Sequence, residues 1–230
     1  MGFSQRVKKT LRYKLAAYPN IFIPVYRLLA PPRNVAFLIS PDTEIVIEGF
    51  PRSGNTFAVV AFQLAQKKKI KIAHHLHAEA QILEGVKRSL PVIVLIREPL
   101  ATIRSLNISH PDIAVDVALR RYFRFYNITR SVLRHVILAK FEDVIKDYGK
   151  IIERVNHKFS TRFGIFKPTA TNVDKVFREI ERINDELFNK RETQAARPRL
   201  ERPNLEKDIP RVLAEKAIRL YKRVCFESIT

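Results

Sequence analysis

The spacing of apolar and polar positions changes several times along the chain, and each change marks an element. Ile45, Val46 and Ile47 are consecutive β-branched residues, and residues 90–96 form an almost unbroken apolar run, the pattern of strands covered on both faces. Val136 to Ala139 repeats it, and Ile70 and Ile72 alternate with lysines, predicting a short strand that leads into His74-His75-Leu76-His77. Between these runs the period becomes helical. Phe57, Val60, Ala61 and Leu64 share one face of a helix over 56–66, closed by Lys67-Lys68-Lys69 at the negative end of its dipole. Further helices are predicted over 78–88, from Pro99 onward, over 116–134, and from Asp143, a suitable N-cap, to Arg154. Past Lys167-Pro168 the pattern becomes two charged helices, 172–191 and 209–226, joined by the proline-broken segment 195–204. Strands alternating with helices predict an α/β protein with a mostly parallel central sheet flanked by helices in three layers. With 230 residues, 46% of them hydrophobic, the chain can bury one such core.

The stretch Glu44 to Phe57, EIVIEGFPRSGNTF, runs from the first strand through a glycine-punctuated loop into a helix. Gly49 and Gly54 frame a turn in which backbone N–H groups can converge on one anion, with the Thr56 hydroxyl and the positive end of the helix dipole beside it. The spacing matches the frame G-x-x-x-x-G-K-[ST] of nucleotide-triphosphate loops, except that Asn55 replaces the lysine and the nearest cation is Arg52. The next strong strand ends in Arg97, where a magnesium site would want an acid. Together these predict a P-loop fold holding a phosphate-like anion without a metal; a plain tight strand-to-helix turn is the bland alternative.

Gly49-Phe50-Pro51-Arg52-Ser53-Gly54-Asn55-Thr56-Phe57 resembles the 5′-phosphosulfate loop of sulfotransferases that use 3′-phosphoadenosine 5′-phosphosulfate (PAPS). Two further segments agree in order. Arg97-Glu98-Pro99 followed by Ser105 is similar to the family's 3′-phosphate motif, and Lys140-Phe141-Glu142-Asp143 to the aromatic-Glu-Asp that ends a later strand. The resemblance covers 44–163, about half the chain. It implies PAPS as cofactor, adenosine 3′,5′-bisphosphate as product and transfer of a sulfuryl group to a hydroxyl or amine. It also implies that Pro51, Arg52, Ser53, Gly54, Asn55, Thr56 and Phe57 hold the 5′ side, Arg97 and Ser105 the 3′-phosphate, and Phe141 the adenine. The family's basic, glycine-containing loop that closes over the 3′-phosphate is missing; Arg197 and Arg199, with Arg202, stand in that part of the chain, where a solvated linker is equally consistent.

Three histidines in four residues suggest a metal, yet no second cluster of acids or cysteines supplies further ligands. Acid–base chemistry fits better, because a neutral imidazole can take the proton of an attacking hydroxyl. His75-Leu76 is similar to the histidine-leucine pair at the end of the corresponding family strand, which makes His75 the first candidate base and His77 the second, with Arg52 stabilising charge on the transferring group. A structural role for all three histidines stays open.

Charge and composition narrow the partners. Lysine plus arginine exceeds aspartate plus glutamate by 42 to 23, a formal net charge of +19, which points to acidic partners. Residues 1–40 carry seven basic residues and no acidic one, and read as a basic extension of a single domain over 41–230 (core 44–163, helical part 169–230). Its apolar run is interrupted by Pro24 and is too short to span a bilayer, so it predicts at most peripheral contact with an anionic membrane. The single Cys225 excludes an intrachain disulfide and is compatible with a reducing, cytoplasmic setting. Aromatics interleaved with arginines over 120–134 could stack on nucleic acid, but helical spacing accounts for them more simply, with Leu119, Tyr122, Phe123 and Tyr126 facing the core. Two rivals to the sulfotransferase reading remain: a P-loop nucleotide or small-molecule kinase, and a non-catalytic basic module on membranes or nucleic acid.

Overall fold

The computed structural model describes residues 12–188 and 209–228. Its centre is a four-stranded, fully parallel sheet of β1 (Ile45–Gly49), β2 (Ile72–His74), β3 (Val92–Ile96) and β4 (Ile137–Lys140) in the order β2-β1-β3-β4. Ile47 pairs with His74 on one side and Ile93 on the other, and Ile93 with Ile137. The helices are α1 (Pro19–Leu29), α2 (Asn55–Ala65), α3 (Glu79–Lys87), α4 (Pro99–Ser109), α5 (Val115–Thr129), α6 (Phe141–Phe159), α7 (Ala170–Phe188) and α8 (Arg211–Glu227), with a short turn at Pro32–Val35 and a 3₁₀ segment at Arg130–His135.

Alternation along the strands sorts the helices into two layers. Val46, Val92, Val94, Ile96 and Leu138 face a core built with α1, α3, α4, α5 and α8. Ile45, Ile47, Ile93, Leu95, Ile137 and Ala139 face the other, built with α2, α6 and α7. The three-layer α/β architecture therefore follows from strands apolar on both faces, which need helices above and below. Neighbouring backbone covers one sheet edge and basic side chains the other. Beside β2, the His74 amide donates to the carbonyl of Phe37. Beside β4, Lys158 Nζ donates to the carbonyls of Arg134 and Val136, and Arg154 to that of Leu138.

Several boundaries differ from the sequence expectation. The second strand lies at 72–74 instead of 70–72, so the histidine run starts within it. The helix after β4 begins at Phe141 with Lys140 as N-cap, and Asp143 sits in the first turn, because the strand passes directly into the helix. Pro24 does not end its helix: in the second turn it forfeits a single bond to the carbonyl of Asn20, an exposed position where water can replace it. Leu64 is exposed, and on α5 Phe125 takes the core place expected for Phe123.

Candidate active site

The chain leaves β1 toward β2, then crosses back to β3, so the connections that leave the C-terminal ends of the paired strands β1 and β3 diverge at the switch point of the sheet. That edge collects the chemistry. Gly49 ends β1 where a Cβ would stand 2.5 Å from the carbonyl oxygen of Leu95, so only glycine lets the two strand ends approach. The loop that follows is braced from α5: the Tyr126 hydroxyl donates to the Leu95 carbonyl (2.8 Å) and lies 3.2 Å from Ser53 Oγ, and Asn55 Nδ2 donates to the Phe50 carbonyl (3.0 Å). Asn55 thus serves as a loop clamp where a phosphate lysine would stand, with its buried Oδ1 lacking a partner among the described residues.

Gly54 is the N-cap of α2 with φ +89°, and a Cβ there would meet the Phe141 ring at 3.1 Å. The first helical bond runs from the Ala58 amide to the Gly54 carbonyl, so the amides of Asn55, Thr56 and Phe57 precede it and line the turn. The side chain of Phe57 packs into the second core against Phe166 and Phe177, leaving its amide as the group at the loop. Pro51 is half-buried beside Arg52, whose φ of +71° is strained for a residue with a side chain.

The two arginine motifs meet here. Arg52 Nε donates to Ser105 Oγ (3.0 Å), and Arg97 Nη1 donates to the Arg52 carbonyl (3.2 Å). Arg97 is only 8% exposed; its guanidinium lies 4.1 Å from the centroid of Phe141, and its carbonyl accepts from the Tyr122 hydroxyl. The helix cap is Glu98, which accepts from the amides of Leu100 and Ala101, so Arg97 is spared a capping role. Residues from the ends of β1, β3 and β4 and from α4 thereby form one cluster. Arg197 and Arg199 lie outside the described residues.

Beside this cluster the histidine run turns sharply, with positive φ at His75 (+56°) and His77 (+49°), so the two do not share the face an extended chain would have given them. His75 Nε2 lies 3.1 Å from Thr56 Oγ1 and its Nδ1 2.5 Å from His74 Nδ1, engaging both ring nitrogens. His77 Nδ1–H donates to the Gly49 carbonyl (2.8 Å), which fixes the tautomer; among the described residues Nε2 has no partner, and 26% of the side chain is exposed. Burial, with mutual repulsion second, brings His75 and His77 down to about 3; burial and Lys71 bring His74 to about 4. All three are neutral at pH 7.

Glu48, which no sequence motif singles out, organises this turn. Fully buried in β1, it accepts from the Leu76 amide (2.8 Å), the His77 amide (3.1 Å) and Gln81 Nε2 (2.7 Å), and its Oε2 lies 3.9 Å from His77 Nδ1. Burial pushes it up to about 7 against the pull of these bonds. The signal was present as one acid inside a β-branched strand. A shallow basic groove lined by Ile137, Lys150, Glu153, Arg154, His157 and Lys158 lies on the β4 edge; Arg154 and Lys158 already serve the carbonyls of Leu138 and Val136, and Lys150 pairs with Asp147.

The chain matches no family model and no curated protein in sequence. Among solved structures it is similar to the crystal structure of mouse sulfotransferase SULT7A1 complexed with PAP, with a TM-score of 0.50 and 12% identity over 84% of this chain and 87% of that one. The fold is a sulfotransferase P-loop-type fold. The identity is low enough that the likeness concerns backbone architecture alone. The parallel sheet and its flanking helices belong to that architecture, while the side chains described above are this chain's own.

Proposed function

We propose that the protein is an enzyme that transfers a sulfuryl group from PAPS to a hydroxyl or amine acceptor. The observation that carries this reading is the junction of Arg52, Ser105, Arg97 and Phe141 at the sheet's switch point, two guanidinium groups and a ring gathered from three strand ends. A nearly buried guanidinium beside a glycine-capped helix N-terminus fits a ligand with two separate anionic groups and a flat base. Arg52, Thr56 and the amides of the loop from Pro51 to Phe57 would hold the 5′ side, Arg97 and Ser105 the 3′-phosphate, and Phe141 the adenine. The fold's likeness to a sulfotransferase complexed with PAP supports the same reading.

The cofactor would supply an activated sulfuryl group whose bond to the 5′-phosphate breaks as the bond to the acceptor oxygen or nitrogen forms. The chain's part is to hold charge and move one proton. Because both ring nitrogens of His75 are engaged, His77 is the better-placed base: Nδ1–H is held by the Gly49 carbonyl, leaving Nε2 to take the acceptor's proton. In its ionised form Glu48, whose Oε2 lies 3.9 Å from Nδ1, would offset the charge on the imidazolium and counter the burial that lowers the basicity of His77. His75 would orient Thr56. General-base catalysis of this kind contributes typically about 10²- to 10⁴-fold.

Calorimetric titration with adenosine 3′,5′-bisphosphate tests the cofactor. One-to-one binding is expected, weakened about tenfold or more in a folded Arg97→Ala variant, which loses a charge-assisted contact. Preference for magnesium–ATP, or no binding of either nucleotide, would refute the reading.

A further inference from the structure

Helix α1 (Pro19–Leu29, PNIFIPVYRLL) is apolar all round, with Asn20 and Arg27 its only strongly polar residues. Such a helix is normally buried on every side. Here Phe22, Ile23 and Tyr26 face the core, and the opposite stripe, Ile21, Pro24 and Leu28 at spacings of three and four, faces outward. Leu28 (83%) and Leu29 (74%) are the two most exposed large apolar side chains among the described residues, with Tyr18 and Ile21 beside them. Exposure of this kind, contiguous and on one helix, marks an interaction surface.

The charge around the stripe indicates what covers it. Lys14, Arg27 and Arg33 are exposed around it, and the first forty residues contain no aspartate or glutamate. Arg6, Lys8 and Lys9 add to this in the preceding sequence. At eleven residues α1 is too short to cross a bilayer, and none of the described helices is long and apolar enough to do so. An apolar stripe whose own segment carries basic residues and no acidic one matches a headgroup boundary, where leucines enter the acyl region and cations meet anionic lipid.

We propose that α1 is a peripheral docking helix that seats the protein on an anionic lipid bilayer through Ile21, Leu28 and Leu29, with Arg27 and Arg33 contacting the headgroups. None of the stripe residues belongs to the Arg52–Arg97 cluster, and docking through them does not depend on which reaction that cluster performs.

Sedimentation of the full chain with phosphatidylcholine vesicles, with and without phosphatidylglycerol, tests this. Partitioning onto the anionic vesicles is expected to exceed that onto neutral ones by about tenfold or more, and to fall about fivefold for each of Arg27→Gln and Arg33→Gln. Leu28→Glu/Leu29→Glu, at exposed positions that leave the fold intact by circular dichroism, is expected to abolish it. Unchanged vesicle binding by that double variant would overturn the proposal, because the basic residues alone would then suffice. Equal binding to neutral vesicles would remove the charge complementarity on which it rests. Absence of vesicle binding, or a dimer in light scattering that the double variant dissociates, would assign the stripe to something other than lipid.

Discussion

The packing of Glu48 against the three-histidine turn makes stability depend on pH in a way that can be worked out from the structure. His74, His75 and His77 have folded pKa values depressed to about 4, 3 and 3, so each takes up a proton on unfolding between its folded value and the ordinary histidine value near 6.5. Glu48, raised to about 7, does the reverse and releases one. Between pH 5 and 6 three imidazoles gain a proton on unfolding and one carboxyl loses one, a net uptake of about two. Stability therefore rises with pH in this window, by about 1.4 kcal/mol per pH unit per proton. That gives somewhat under 3 kcal/mol per unit. Solvent at the partly exposed imidazoles and the opposing, burial-raised Glu79 reduce it to about 2. Urea unfolding at closely spaced pH values measures the slope. Glu48→Gln removes the opposing proton and should steepen it by about half, while lowering overall stability by about 1–3 kcal/mol because the Leu76, His77 and Gly49 amides lose part of their acceptor. A slope that is flat or negative between pH 5 and 6, or a variant no steeper than the native chain, would refute the description of this turn.

Other expectations follow from the same edge of the sheet. Gly54→Ala places a methyl group against Phe141 at φ +89°; a loss of about 1–3 kcal/mol in urea unfolding is expected, with weakened bisphosphate binding in calorimetry. Tyr126→Phe leaves the buried Leu95 carbonyl without its donor and Ser53 without its brace, so about 1–2 kcal/mol of stability should be lost in the same assay. His77→Ala should lower transfer from PAPS to a phenol probe acceptor by about 10²-fold or more while leaving bisphosphate affinity intact, and an equal fall in affinity would show that His77 acts through the loop. Arg52→Ala should weaken bisphosphate binding about tenfold or more, read by calorimetry, since it removes the donor to Ser105 as well as a loop cation.

The sequence by itself determined the architecture and pointed to the strand ends as the candidate site. The apolar runs at 45–47 and 92–96, rich in β-branched residues, can be buried only between two helical layers, and a strand ending in a glycine-framed loop has its ligand edge at the C-terminal ends of the strands. Arg52 and Arg97 were legible as cations that follow strand ends, and Ser105 and Phe141 only through the resemblance of their segments to sulfotransferase motifs. Tertiary structure alone decided how these residues meet. That Arg52 reaches Ser105 and Arg97 holds the Arg52 carbonyl depends on strand order, which local periodicity does not encode. The same holds for Glu48. In the sequence it is one acid in an apolar strand, and its meaning comes from the amides of Leu76 and His77, nearly thirty residues away, which supply the hydrogen bonds that make its burial tolerable. The outward stripe of α1 was equally hidden, because an apolar helix announces burial, and only the packed chain shows which of its faces the core leaves uncovered.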